Sequence, residues 1–174
     1  MALKRFLFLI LVCSFSGTIT AQTSEKEANL KAAFIYNFTK YIEWDSNNED
    51  DFIIGVMGSS PVTASLNEIA KTNMVNNKKI TVRVFSKPED IGDCNILFIP
   101  VIPENSLYSL QSILDKADKG MLTISEEPGF AKQGTAFNFF ITNDKLKFEA
   151  NLKTLLQSGL KVSSQLLKLA KIVD

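Results

Sequence analysis

Hydrophobic and polar positions along the chain change period several times, and each change marks an element. Over residues 25–44, Leu30, Phe34, Phe38 and Tyr41 recur at helical spacing, with Ala33, Tyr36 and Trp44 on neighbouring faces. Thr23-Ser24 offers an N-cap, and Glu27 lies three residues past Ser24 as in a capping box. This stretch is predicted to be the first helix, ended by the polar, acidic run 45–51 as a solvated loop. Residues 52–58 and 94–100 are almost wholly apolar, the pattern of strands buried on both faces in a sheet that helices cover. Residues 79–85 alternate and predict a strand with one wetter face; residues 121–124 predict another.

The helices are placed by their caps. Ser59-Ser60-Pro61 supplies a cap and a first-turn proline for a helix over 62–71. Residues 73–77 form a turn, and 88–93 a connection with room for one helical turn. Asn105-Ser106 caps a helix over 107–117 that turns Leu107, Leu110 and Leu114 inward and stops at Gly120. After a bend at 127–131, strands over 136–141 and 146–149 flank the turn 142–145, the spacing of an antiparallel hairpin at the sheet edge. Residues 151–173 predict a final helix with Leu152, Leu155, Leu156, Leu166, Leu167 and Ala170 on one side. Alternation of this kind predicts an α/β fold, a three-layer α/β/α sandwich with a mainly parallel sheet and an antiparallel C-terminal hairpin.

The amino terminus changes the compartment. Lys4-Arg5 precedes the apolar run 6–12, and Thr18-Ile19-Thr20-Ala21 follows, the order of a secretory signal cleaved after Ala21. The run is too short to span a membrane, so no stable membrane insertion is expected. A lipoprotein signal at Cys13 is the alternative, but Val12 before it is not small. Removing the first 21 of 174 residues takes away Lys4 and Arg5 and leaves 153 residues, 22–174, with a formal charge of −2. That length suits one domain, and a chain of this size buries roughly 70% of its unfolded surface without metal or disulfide staples.

Composition then removes several functions. Near-neutral charge argues against nucleic acid as a partner. One arginine, Arg83, remains after cleavage, which argues against arginine-fork phosphate clamps. The chain has no His, which removes Ser-His and Cys-His activation and the commonest metal ligand. No catalytic residue, metal site or cofactor is expected, and the chain reads as a non-enzymatic protein. Cys94 stands without a second cysteine after cleavage, so no disulfide forms within the chain. It opens an apolar strand and reads as buried, with an intermolecular disulfide as the sharper alternative.

Two places invite a ligand or partner. The strand-to-helix junction at Gly58, Ser59 and Ser60 could cradle an anion, since open sheets bind ligands beyond strand carboxyl ends and helix N-termini offer free N–H groups. It fits neither the P-loop nor the GxGxxG spacing, and a capped tight turn also explains it. Tyr36, Tyr41 and Trp44 in the first helix are aromatics with a polar handle, enriched at binding hot spots, though core packing also uses them. The acidic group Glu43, Asp45, Glu49, Asp50 and Asp51 lacks the spacing and central Gly of an EF-hand loop and reads as solvated. Asp90-Asp93 and Glu126-Glu127 read as short charged loops. The lysines of 151–173, with no acid among them, suit either an anionic lipid surface or an ordinary helix with lysines complementing its dipole.

The string Leu30-Lys31-Ala32-Ala33-Phe34-Ile35-Tyr36-Asn37-Phe38-Thr39-Lys40-Tyr41-Ile42-Glu43-Trp44 resembles the opening signature of the YfiR (YfiR/HmsC-like) family. Ile54-Gly55-Val56-Met57-Gly58, Cys94-Asn95-Ile96-Leu97-Phe98-Ile99, Leu122-Thr123-Ile124-Ser125, Gly129-Phe130-Ala131-Lys132-Gln133-Gly134, Phe148-Glu149-Ala150-Asn151 and Leu166-Leu167-Lys168-Leu169-Ala170 follow in order. The resemblance implies a periplasmic α/β protein that restrains an inner-membrane signalling partner, a diguanylate cyclase or sensor kinase, and through it cyclic-di-GMP and biofilm. The alternative is a periplasmic small-ligand-binding protein using the first strand-helix junction. A homodimer is allowed. The family's well-studied members use redox-active disulfides; here Cys94 matches one family cysteine, but Phe52-Ile53-Ile54 and the stretch after Gly134 supply none, and Thr135 stands where a second Gly is common. Disulfide control is therefore not carried over.

Overall fold

The apolar run that follows the acidic loop becomes the strand around which the sheet is built. The computed structural model describes residues 18–44 and 51–174. In chain order its elements are α1 (Thr18–Phe38), a 3-10 turn (Thr39–Tyr41), β1 (Ile42–Glu43), β2 (Asp51–Met57), α2 (Val62–Thr72), β3 (Met74–Val75) and β4 (Lys78–Phe85). A second 3-10 turn (Pro88–Asp90), β5 (Ile96–Ile99), α3 (Leu110–Leu114), β6 (Leu122–Ser125), β7 (Phe137–Thr142) and β8 (Lys145–Asn151) follow. The chain ends with α4 (Leu152–Ser158), β9 (Lys161–Val162), α5 (Ser164–Leu167) and β10 (Lys171–Val173). The export-signal reading falls outside the described residues, apart from 18–21, which open α1. Asp45, Glu49 and Asp50 also lie outside them.

Eight strands form the main sheet in the order β10-β8-β7-β6-β5-β2-β4-β3. β2 runs parallel to β4 and β5, and parallel pairing continues through β6 to β7. β7 and β8 form the antiparallel hairpin, whose turn residues Asn143 and Asp144 take φ of 49° and 56°, as a tight two-residue turn requires. β3 joins β4 through a similar turn at Asn76-Asn77. β1 and β9 make a separate antiparallel ribbon.

Alternation along the strands sorts the core into two layers. Phe52, Ile54, Val56, Ile96, Phe98, Phe137, Phe139 and Phe148 face a cluster shared with α1, α2, α4 and α5. Ile53, Met57, Leu97 and Ile99 face a second cluster with Leu110 and Ile113 of α3. Helices thus flank both faces of a mainly parallel sheet, an α/β sandwich. Gly55, at the centre of β2, is required by packing: a Cβ there would stand 2.6 Å from the Phe85 ring.

Several expectations need correction. The first helix is regular only to Phe38; the Thr39 hydroxyl donates to the Tyr36 carbonyl at 2.6 Å, the chain tightens to 3-10, and Ile42 is extended. Its buried stripe is Ala28, Ala32, Ile35 and Phe38 rather than Leu30, Phe34, Phe38 and Tyr41, because small residues let α1 approach α2 and the sheet closely. Leu107 is fully exposed and not helical; Ser109 and Ser112 cap each other reciprocally and start α3 at Leu110, three residues beyond Leu107. The hairpin is not outermost, since β10 lies beyond β8.

The largest departure is the C-terminal helix, which is four short elements. Gly159 takes φ of 74° and its N–H closes α4 onto the Leu156 carbonyl. Val162 then pairs with Ile42, and the Ser163 hydroxyl accepts from the Gln165 N–H to start α5. Lys171–Val173 takes the open place beside residues 149–151 of β8. Leu155 and Leu166 are buried as expected, but Leu156 is 82% exposed.

Candidate functional site

The three candidate aromatics sit where α1 gives way to β1, and the structure separates their roles. Trp44 is half-buried: its ring stands edge-on to Phe52 with centroids 5.0 Å apart, and its Nε1–H donates to the Thr39 carbonyl at 3.0 Å. That satisfies its polar atom and pins the 3-10 turn to the sheet. Tyr36 is half-buried against the first cluster, with Lys40 Nζ 4.5 Å above its ring. Tyr41 is 39% exposed, and its carbonyl accepts from the Ser163 N–H at 2.8 Å.

Tyr41 lines an open groove of about 480 Å³ at the small ribbon, to which the β1 side contributes Lys40 and Glu43 and the β9 side Lys161 and Gln165. Glu43 and Lys161 form an ion pair at 3.1 Å across it, but both side chains are well exposed, so the pair adds little to stability. The groove is a solvent-facing surface with an aromatic, two lysines, a glutamate and hydroxyls. Such a lining suits contact with a polar surface.

The junction loop has another character. Gly58, Ser59, Ser60, Thr63, Val84 and Ser86 line a shallow depression beyond β2 and β4. The Gly58 N–H already donates to the Phe85 carbonyl at 2.7 Å, the Val62 N–H to the Ser60 hydroxyl at 3.2 Å, and the Thr63 N–H to the Ser60 carbonyl at 3.1 Å. Three of the main-chain donors near an anion there are thus committed, and no lysine or arginine lines the depression to add charge. The sheet changes winding direction between β2 and β5, where open sheets usually bind ligands. There the Tyr108 hydroxyl stands 3.1 Å from where a Gly58 Cβ would be.

Glu126-Glu127 is an anchor rather than a loose charged loop. Lys31 Nζ lies 2.6 Å from Glu126 and 2.5 Å from Glu27, with its side chain 12% exposed. Burial pushes the Lys31 ammonium down, but the hydrogen bonds and charges of Glu126 and Glu27 outweigh it and hold the group above the ordinary lysine value. The second Glu126 oxygen accepts from the Val101 N–H at 3.3 Å, and Glu127 accepts from the Ile102 N–H at 3.2 Å. One carboxylate pair thus ties α1 to the segment after β5. Glu27 and Lys31 at i, i+4 carried a signal for this; Glu126, 95 residues away, did not.

A buried polar chain holds the loop before β7. Ser125 Oγ donates to Asn138 Oδ1 at 2.6 Å and shares a 2.7 Å bond with the Thr135 hydroxyl, Thr123 Oγ1 accepts from the Ala136 N–H, and Asn151 Nδ2 donates to the Ala131 carbonyl. Thr135 therefore has a structural use that a glycine there would lack. Cys94 is buried beside Gly55. Among the described residues no cluster of three or more His, Cys, Asp or Glu could hold a metal, and no helix is long and apolar enough to cross a membrane.

The sequence profile described as YfiR/HmsC-like matches residues 28–171, from the first buried residue of α1 into β10. That family comprises periplasmic regulators of cyclic-di-GMP signalling and is regulatory rather than catalytic. With 28–171 of 174 residues matched, the chain belongs to the YfiR/HmsC-like family.

Proposed function

We propose that this chain is exported, loses residues 1–21, and works in the periplasm as a single mature domain, 22–174, that binds and restrains an inner-membrane signalling protein, a diguanylate cyclase or sensor kinase. The observation that carries this reading is the family match over nearly the whole chain. The site contributes the groove beside Tyr41, an exposed aromatic on a rigid corner that Trp44 pins to the sheet. Its solvent-facing mix of an aromatic, charges and hydroxyls suits regulation by occupancy.

A photo-crosslinking residue in place of Tyr41, in cells of the native host, tests the reading directly. A specific adduct with an inner-membrane protein is expected, together with raised cyclic-di-GMP when the gene is deleted and the partner is a cyclase. Adducts with no membrane protein, and unchanged signalling output on deletion, overturn it. Tyr41→Ala is expected to weaken capture while leaving the fold intact, because the side chain is exposed. Trp44→Ala also tests the fold and is the poorer probe.

A further inference from the structure

Beyond β6 the second face of the sheet loses its helical cover. The apolar cluster on that face draws no residue from β7, β8 or β10. Pleat alternation and register place Phe140, Thr142, Lys145, Lys147 and Glu149 together there, with Phe140 opposite Lys147 and Thr142 opposite Lys145. Lys171 joins them from β10, paired to Glu149 at 2.9 Å and 5.6 Å from the centre of the half-buried Phe140 ring. Glu149 is thereby neutralised, and among the described residues neither Lys145 nor Lys147 has an acidic partner.

The sheet edge is unfinished at the same place. β10 pairs with β8 only at residues 149–151, and no described strand pairs the outer edge of β8 over 145–148. In a hairpin closed by a two-residue turn, Thr142–Lys145 and Phe140–Lys147 are the hydrogen-bonded pairs, so the main-chain groups of Leu146 face that outer edge. Lysines on an exposed edge guard against pairing with copies of the same charge. The guard becomes an attraction for a strand that brings carboxylates. Lys145 and Lys147 are two residues apart, about 7 Å along a strand, the spacing of alternate side chains on an added strand.

We propose that this edge docks an extended acidic segment of a partner protein, which adds as a strand beside β8 with carboxylates against Lys145 and Lys147. Main-chain bonding supplies affinity and the lysines select charge. A membrane is the poorer fit, because Phe140 on this face is half-buried and lies close to Lys171, while the exposed Ile141 and Ile172 fall on the opposite face by pleat alternation. The inference rests on reading the chain as a binding protein but concerns a different surface from the Tyr41 groove.

Fluorescence anisotropy on the full mature chain tests it, with a short labelled peptide alternating Glu and Thr. Saturable binding is expected, weakened about tenfold or more by the pair Lys145→Glu and Lys147→Glu, and to a lesser degree by Lys145→Gln with Lys147→Gln. N-methylation of alternate peptide amides, which removes strand pairing and keeps charge, is expected to weaken it similarly. Thermal melts confirm that the variants fold. Binding no tighter than to a Gln-for-Glu peptide, equal binding of the N-methylated peptide, or preference for phosphatidylglycerol vesicles overturns the proposal. If the peptide binds while crosslinking at Tyr41 finds no membrane partner, the regulator reading falls and this site stands; the converse removes this site alone.

Discussion

α1 and the segment from Asn151 to Val173 look alike on paper, yet one is a helix and the other is not. Both carry leucine, lysine and aliphatic residues at helical spacing. α1 contains no glycine or proline and buries Ala28, Ala32, Ile35 and Phe38 in one stripe. The C-terminal segment contains Gly159, two serines after Val162, and β-branched residues that find strand partners in Ile42 and in β8. Helical periodicity is a statement about one face of one element. It cannot register that an open strand edge elsewhere competes for the same residues.

The strongest way to break this comparison is to empty its anchored side. Phe38 is buried among Phe137, Phe139 and Phe148. Phe38→Ala is expected to cost about 4 kcal/mol in denaturant unfolding. A loss under about 1 kcal/mol shows that α1 does not anchor the first cluster. Lys31→Met follows, leaving Glu27 and Glu126 without their ammonium. Its expected cost is about 1–2 kcal/mol, below that of a fully buried pair because Glu27 is 36% exposed. Folding raises the Lys31 pKa above 10.5, so its contribution is complete below pH 10.5 and fades as pH rises through the folded value. The gap between wild type and Lys31→Met should therefore narrow in strongly alkaline buffer; a gap that widens there contradicts the ion pair.

Two smaller effects sharpen the other side. Gly159 sits at φ of 74°, and Gly159→Ala is expected to cost about 1 kcal/mol through the left-handed backbone. Were 151–173 one continuous helix in solution, the same change would stabilise by a similar amount, so its sign decides between the two arrangements. Leu156→Ala removes a side chain that is 82% exposed and should change stability by less than about 0.5 kcal/mol.

The candidate surfaces were legible to different depths. Tyr36, Tyr41 and Trp44 stood out as aromatics, but their division into a half-buried ring, an exposed groove residue and a core pin follows from Phe52, Thr39 and Ser163, which reach them from other elements. Gly58, Ser59 and Ser60 read as an anion cradle from sequence, but that the Phe85 carbonyl takes the Gly58 N–H and the Ser60 hydroxyl takes the Val62 N–H depends on the strand and helix they join. The anchor of Lys31 on Glu126 and the lysines beside an unfinished strand edge depend on strand order, which single-residue patterns do not carry.

By itself the sequence determined the buried central strands and the start of α2, because two-sided burial and the Ser60 cap are written in runs of a few residues: 52–58, 94–100 and Ser59-Ser60-Pro61 needed no distant partner to be read. It also carried family membership, because that signature is an ordered series of local strings. Only the tertiary structure decided where α1 ends, which of its faces is buried, and that residues 171–173 complete a sheet. Those outcomes turn on pairing and packing between segments far apart in the chain, and there the free energy of a contact is set by the partner as much as by the residue.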